Sequence, residues 1–105
     1  MLVVNTPSIP GSEIAQTMGL VRGSTTRARF FGRDIIASFR MLVGGEIDEY
    51  TKLLAESREQ ALQRLMQDAE ALGANAVINV RFTTSSIARN AAEILAYGTA
   101  VKLAQ

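Results

Sequence analysis

Between residues 47 and 72 an apolar stripe recurs at helical spacing: Ile47, Tyr50, Leu54, Ala61, Leu65, Ala69 and Leu72. Side chains three or four positions apart share one face of an α-helix, so this pattern predicts a single long amphipathic helix. Lys52, Glu56, Glu59, Gln63, Gln67 and Glu70 fall on the opposite side. Asp48 and Glu49 stand in the first turn, where the helix dipole favours anions, and Gly73 supplies a stop. At a rise of roughly 1.5 Å per residue such a helix is about 40 Å long. In a chain of 105 residues it has to lie across a sheet to bury its stripe.

The rest of the chain supplies that sheet. Residues 2–5 are a short β-prone run stopped by Thr6-Pro7-Ser8-Ile9-Pro10-Gly11, a rigid connector. A strand flanked in this way is expected at an edge, and its terminal position suggests pairing with a neighbouring subunit. Over residues 13–26, Ile14, Met18 and Val21 have helical spacing, but Gly19 and Gly23 argue against a helix interior. The β-branched and small residues from Leu20 to Thr26 predict a long strand relieved by glycine. Residues 33–43 predict a short helix with Ile35, Phe39 and Leu42 on one face, ended by Gly44-Gly45. Strands are expected over 75–85 and 93–103, with Ser86 to Asn90 as the hairpin loop between them. The order β, β, short α, long α, β, β describes one α+β domain over residues 1–105, with helices on one face of a largely antiparallel sheet. The second face of so small a sheet also needs a cover, and oligomerisation provides one.

Composition sets limits on chemistry. The chain has no cysteine and no histidine. Disulfides, thiol nucleophiles, Ser-His triads and thiolate or imidazole metal centres are therefore excluded. A serine nucleophile would need a lysine base, and the two lysines, Lys52 and Lys102, stand at polar helical and C-terminal positions. Gly44-Gly45 lacks the lysine and spacing of a phosphate-binding loop. The four methionines (Met1, Met18, Met41 and Met66) are scattered, as core filler is. No catalytic role or cofactor is expected. The start of the chain lacks a basic, apolar leader, and no apolar run approaches the roughly 20 residues of a membrane span, so a soluble cytoplasmic protein without a membrane partner is expected.

A net charge of +1 gives no field that calls for a nucleic-acid partner. Arg27, Arg29, Arg33 and Arg40 surround Phe30-Phe31, a pair better placed as a core anchor than as a base-stacking platform. Nine of the eleven cationic side chains are arginine, the residue suited to planar pairing with carboxylates or phosphates and to interfaces. Asp34, Glu46, Asp48 and Glu49 are the best carboxylate grouping for a hard cation, though their spacing matches no ligand loop. Arg58 and Asp68 fall on or beside the apolar stripe, where a charge needs a partner. In Tyr97-Gly98-Thr99 the glycine permits close approach of another chain.

Taken in order, several stretches resemble the YbjQ-like family of small bacterial and archaeal proteins of unknown function. They are Gly19-Leu20-Val21-Arg22-Gly23, Arg33-Asp34, Arg40, Gly44-Gly45, Tyr50 with Leu54, and Arg58-Glu59 with Ala61. Ala71-Leu72-Gly73-Ala74-Asn75-Ala76-Val77 and Ala96-Tyr97-Gly98-Thr99-Ala100-Val101 complete the set. The resemblance implies a dodecin-like β-α-β-β subunit, a ring of five, and an N-terminal strand that joins subunits. Such a ring would repeat each arginine around its axis, so Arg33, Asp34 and Arg40 become candidates for an intersubunit ionic ring or an anion site, and Arg58 and Tyr97 for a groove between subunits. The expected function is a non-enzymatic homopentameric module whose partner is itself, holding a small or anionic ligand between subunits. The alternative is cation binding through oxygen ligands, since some members carry a heavy-metal-binding label.

Overall fold

The long helix forms where its stripe predicts, and the close fit beneath it explains Gly23 of the second strand. The computed structural model describes the backbone of residues 1–28, 47–88 and 91–104. Within these the elements are β1 (Leu2–Val3), β2 (Ile14–Ala28), α1 (Ile47–Ala71), β3 (Ala76–Ala88) and β4 (Ala91–Leu103). The strands form one mixed sheet in the order β1-β3-β4-β2. β2 with β4 and β3 with β4 are antiparallel, and β1 with β3 is parallel. The short helix expected over 33–43 and its Gly44-Gly45 end lie outside the described residues, as do the side chains of Ile47 and Tyr50.

Helix α1 sits over β2 and β4 and scarcely reaches β3. Ala61, Leu65 and Ala69 of its stripe are fully buried with Val21, Val77, Val80, Ile94, Ala96 and Ala100, and Leu54 packs at the margin. The two layers meet at Gly23. A Cβ there would collide with the carbonyl oxygen of Ala61 and the amide nitrogen of Leu65, and would stand 2.7 Å from the Arg64 carbonyl carbon. One turn earlier in α1 and two residues further along β2, the buried layer turns polar, with Ser57 and Thr25.

The C-terminus of α1 is closed by a Schellman motif. The amide of Ala74 donates to the Ala69 carbonyl at 3.1 Å and that of Gly73 to the Glu70 carbonyl at 2.9 Å. Gly73 has φ of 84°, which glycine adopts without a Cβ penalty. Leu72, the last member of the predicted stripe, therefore lies in the turn after the helix and stays half exposed.

All three long strands are found, with bounds that differ from those expected. β2 runs two residues beyond the predicted end at 26, and β4 begins two residues before 93. Ser86 to Ala88, expected in the hairpin loop, belong to β3. The ladder continues through Ser85↔Glu93, Ser86↔Ala92 and Ala88↔Ala91. Polar composition suggests a loop, but a strand with a solvated side tolerates hydroxyls as long as its backbone has a paired neighbour. The β2–β4 ladder carries register shifts at Ile14/Gln16 and Thr17/Gly19. The β3–β4 ladder shifts between Ile78 and Arg81, where Asn79 is left-handed at φ 55°. That conformation is one that asparagine tolerates, and it marks a β-bulge.

The N-terminal strand is an edge strand, as predicted, but its described partner is the same chain. Leu2 pairs with Ala76 and Val3 with Val77. The connector then folds back over the sheet. Val4 donates to the Val77 carbonyl at 2.9 Å and accepts from Val80 at 3.0 Å, and Asn79 donates to the Thr6 carbonyl at 3.0 Å. Val4, Ile9, Ile14 and Leu103 pack on Ala76, Ile78 and Val101, a second small core on the side of the sheet away from α1. The two prolines make this connector rigid enough to act as a cover, which is why β1 finds a partner within its own chain. Gly98 is corrected in the same way: the close approach it permits is from β3 of its own chain, with the Ile78 carbonyl and the Val77 side chain each 2.9 Å from a built Cβ.

Candidate functional site

Period-two alternation sorts the strand residues between two environments. In β4, Ile94, Ala96, Gly98 and Ala100 turn towards α1, so Leu95, Tyr97 and Thr99 turn the other way. The partners of Tyr97 are Arg22 on β2 and Arg81 on β3, so a tyrosine stands between two arginines in one cross-strand row. The next row is Ser24, Leu95 and Thr83, and the one after it Thr26, Glu93 and Ser85. On the other side of the tyrosine row, Leu20 pairs with Thr99 and stands diagonal to Tyr97. Directly opposed side chains lie about 5 Å apart and diagonal ones about 7–8 Å, so these residues form one patch. Leu20 is 70% exposed and Tyr97 37%. The connector covers the end of this face beside Val101, and the Asn5 carbonyl ahead of it accepts from Arg81 at the β3 side of the patch.

A second opening lies at the β1–β3 end of the sheet, which α1 scarcely reaches. Val3, Val4, Asn5, Thr6, Leu62, Val80, Arg81 and Phe82 enclose a groove of about 650 Å³. Its floor is apolar, and Phe82 is 45% exposed there. The Arg81 guanidinium closes one end by donating to the Asn5 carbonyl at 2.8 Å and to the Val80 carbonyl at 3.0 Å.

The two sheet edges differ as well. On β2, the Arg22 amide donates to a carboxylate oxygen of Asp68 at 3.1 Å, and Arg64 donates to the Ser24 carbonyl at 2.5 Å. Both side chains come from α1. They engage outward-facing main-chain groups that would otherwise be a template for another strand.

Of the residues predicted as site candidates, Arg33, Asp34 and Arg40 lie outside the described residues. Tyr97 is at the centre of the open patch. Arg58 is exposed on α1, so it does not sit in the apolar layer where its spacing suggested a charge in need of a partner. Asp68, for which the same expectation was made, is also exposed and accepts from the edge of β2. Sequence reading missed Arg22 and Arg81 as neighbours of Tyr97. Each stands at an outward position in its strand's alternation, but only the register brings the three together.

Soft metals such as mercury, copper(I) and cadmium favour thiolate and imidazole, and the chain has neither. Among the described residues no group of three or more carboxylates is arranged to hold an ion. Asp68 is already engaged, and Met18 packs against the core. The described residues therefore do not fit a heavy-metal centre. Asp34 and Glu46, and the side chains of Asp48 and Glu49, lie outside them. No described helix is long and apolar enough to cross a membrane.

The architecture has a match among solved structures. A protein of unknown function of the DUF74 family from Pediococcus pentosaceus aligns with a TM-score of 0.68 over 99% of this chain and 98% of its own, at 18% identity. At that identity the likeness concerns the fold alone. Sequence relatives are nearer. A UPF0145 protein of Halorubrum lacusprofundi is 60% identical over 103 residues, covering 98% of this chain and 99% of the relative. A UPF0145 protein of Fervidobacterium nodosum is 56% identical, with 98% and 95% covered. A family model described as "Putative heavy-metal-binding" matches residues 1–104. The chain accordingly belongs to the YbjQ family, whose relatives carry the name UPF0145.

Proposed function

We propose that this protein is a non-enzymatic module that works as a homo-oligomer, with its ligand site formed between subunits. The observation that carries this reading is the sheet face that no described residue covers beyond the end under the connector. A leucine at 70% exposure beside a half-open tyrosine, on strands whose other face packs against α1, leaves apolar surface that association would remove from water. The proportions of the chain agree. Its radius of gyration is 17.2 Å, against about 13 Å for a compact domain of this length. The principal extents are 53 × 24 × 16 Å. A body only two layers thick has much surface for its volume and gains by stacking.

The resemblance to the YbjQ-like subunit favours five copies in a dodecin-like ring. It also gives the N-terminal strand an assembly role, which its free outer edge would have to serve because its inner edge is taken by β3. In that ring Arg22 beside Tyr97 suits a planar or anionic ligand held between subunits, through guanidinium hydrogen bonds and stacking, while the Arg81 guanidinium is held by the Asn5 and Val80 carbonyls. Native mass spectrometry tests the assembly. The expected mass is five times the 11.3 kDa of the chain; a single-chain mass at micromolar concentration would overturn the reading. The family model's description supports a second reading, cation binding through oxygen ligands. A panel of divalent ions in a thermal-shift experiment tests it, because an ion bound to the folded state raises the melting temperature. A melting temperature unmoved by every ion removes that alternative.

A further inference from the structure

The groove beside β3 owes its form to the bulge at Asn79. Val77 and Val80 both pack in the core beneath α1, whereas Ile78, between them, packs in the small core on the other side of the sheet. In a regular strand Ile78 and Val80 would share a face. The bulge breaks that alternation, so Val80 and, two residues on, Phe82 turn to the same side as Ala96, the partner of Phe82. It also pins the wall of the groove: the amides of Asn79 and Val80 donate to the carbonyls of Thr6 and Val4, both at 3.0 Å. Leu62 of α1 adds to the apolar lining.

We propose that this groove binds a small apolar monocarboxylate, an aliphatic or aromatic acid, with its carboxylate on Arg81 and its hydrocarbon over Leu62, Val80 and Phe82. The site is built within one chain, so it stands apart from the ligand site between subunits and does not depend on assembly.

Three observations select this class of ligand. The first is the lining. Five of the eight lining residues are apolar, and the polar ones are Asn5, Thr6 and Arg81. A cleft of about 650 Å³ with that make-up is of the kind that takes a small organic molecule. Phe82, 45% exposed, offers ring surface that a hydrocarbon would remove from water.

The second is the state of the guanidinium. Both of its bonds to the chain, to the Asn5 carbonyl at 2.8 Å and to the Val80 carbonyl at 3.0 Å, leave from one nitrogen, Nη1. They occupy both hydrogens of that nitrogen and fix the plane of the group. Nε and Nη2 have no partner among the described residues. Their hydrogens form the side-on fork that matches the two oxygens of a carboxylate. An arginine already held in place has little left to order when a ligand arrives.

The third is the count of charges. Arg81 is the one ionisable side chain among the described lining residues, and the Thr6 hydroxyl is already given to the Ser8 carbonyl at 2.6 Å. One guanidinium balances one carboxylate, whereas a phosphate dianion would keep a charge and an oxygen without a partner there.

The test titrates the full-length protein with sodium octanoate and, separately, with octanol, which has the same tail and an uncharged head, following backbone amide shifts by NMR. Octanoate is expected to move the amides of Asn5, Val80, Arg81 and Phe82, and to bind about tenfold more tightly than octanol, as a charged hydrogen bond allows. Arg81→Gln is expected to weaken octanoate to the level of octanol and to leave octanol unchanged. Arg81→Lys, which keeps the charge and loses the fork, should fall between. Equal binding of the two probes to wild type overturns the proposal, as does an octanoate response confined to other amides, or wild-type octanoate affinity in Arg81→Gln. Should Arg81→Gln fail to fold for want of its tie to Asn5, Phe82→Ala provides the second measurement. It is expected to weaken both probes by the same factor, and undiminished binding of both overturns the placement of the hydrocarbon. A peptide ending in a free leucine carboxylate that binds more tightly than octanoate gives the groove to a chain terminus and overturns the class of ligand. A single-chain native mass would sink the assembly reading and leave this site standing.

Discussion

Where α1 lies closest to the sheet, Gly23, Ala96 and Ala100 pack with Ala61, Leu65 and Ala69, while Val21 and Ile94 fill the space beside them. On the reverse side the same strands carry Leu20, Arg22, Leu95 and Tyr97. The covered side lets helix and sheet approach until a methyl group at Gly23 would strike the helix backbone. The open side has large and charged side chains that nothing described in the chain covers beyond the end under the connector. Close packing within a monomer calls for small, uniform residues, whereas a surface that recognises another molecule calls for side chains that reach. The two faces of one set of strands thus divide stability from recognition, and substitutions on each side are expected to differ accordingly.

The largest effect is expected at Leu65, the largest fully buried side chain. Leu65→Ala removes apolar contact and leaves a cavity between the layers, a change that costs roughly 2–5 kcal/mol. For a chain of this size each kcal/mol lowers the melting temperature by roughly 4–8 °C, so thermal unfolding at fixed protein concentration should show a fall of ten degrees or more. Gly23→Ala comes next and fails for the opposite reason. The added methyl forces the layers apart, which by overpacking costs roughly 1–3 kcal/mol. Leu20→Ser on the open face should leave the stability of a dilute single chain within about 0.5 kcal/mol of wild type. If Leu20→Ser under those conditions destabilises as much as Gly23→Ala, the contrast between the faces is wrong.

How much of this was legible beforehand depends on the distance over which each feature is encoded. The α1 stripe from Ala61 to Ala69 depends on local periodicity alone, and it was read correctly. So was the stop at Gly73, since the C-cap conformation is a local demand. The strand over Leu20 to Thr26 was read through its β-branched residues, yet the reason for Gly23 was not: it is the backbone of Ala61 to Leu65, some forty residues on. Ser86 to Ala88 were taken for loop because polarity is local and pairing is not. β1 was assigned a neighbouring chain because its partner, β3, is more than seventy residues away, and no short-range signal announces a parallel pair. In the candidate site, Tyr97 was singled out by its strand, but its row with Arg22 and Arg81 depends on two registers and on the bulge at Asn79, none of which a single strand displays.

Thr25 sharpens the contrast from within the covered side. It is 2% exposed, and its hydroxyl oxygen has no hydrogen-bond partner among the described residues. A buried unsatisfied hydroxyl carries a desolvation penalty. Thr25→Val keeps the branched shape and removes that penalty, so the covered side should become more stable, by about 1 kcal/mol, seen as a melting temperature several degrees above wild type. A fall instead would mean that the hydroxyl has a partner in solution, and that the covered side is less dry than its packing implies.

The smallest expected change in stability lies at the border between the two faces, in Asp68→Ala. The carboxylate of Asp68 accepts from the Arg22 amide at an exposed edge, where water can replace it. The loss should therefore be no more than about 1 kcal/mol. The consequence for association is of another kind. With Asp68 gone, the outward amide of Arg22 is free to meet a strand from another chain, and among the described residues the Arg64 contact to the Ser24 carbonyl is what still guards that edge. Asp68→Ala should then hold its melting temperature within a few degrees of wild type. Size-exclusion chromatography with light scattering should show species larger than the wild-type assembly, increasing with concentration. Asp68→Asn, whose side-chain oxygen still accepts, should show neither change. If Asp68→Ala and Asp68→Asn elute identically to wild type, the helix does not protect the edge of β2, and the assignment of association to the faces loses the argument that excludes this edge.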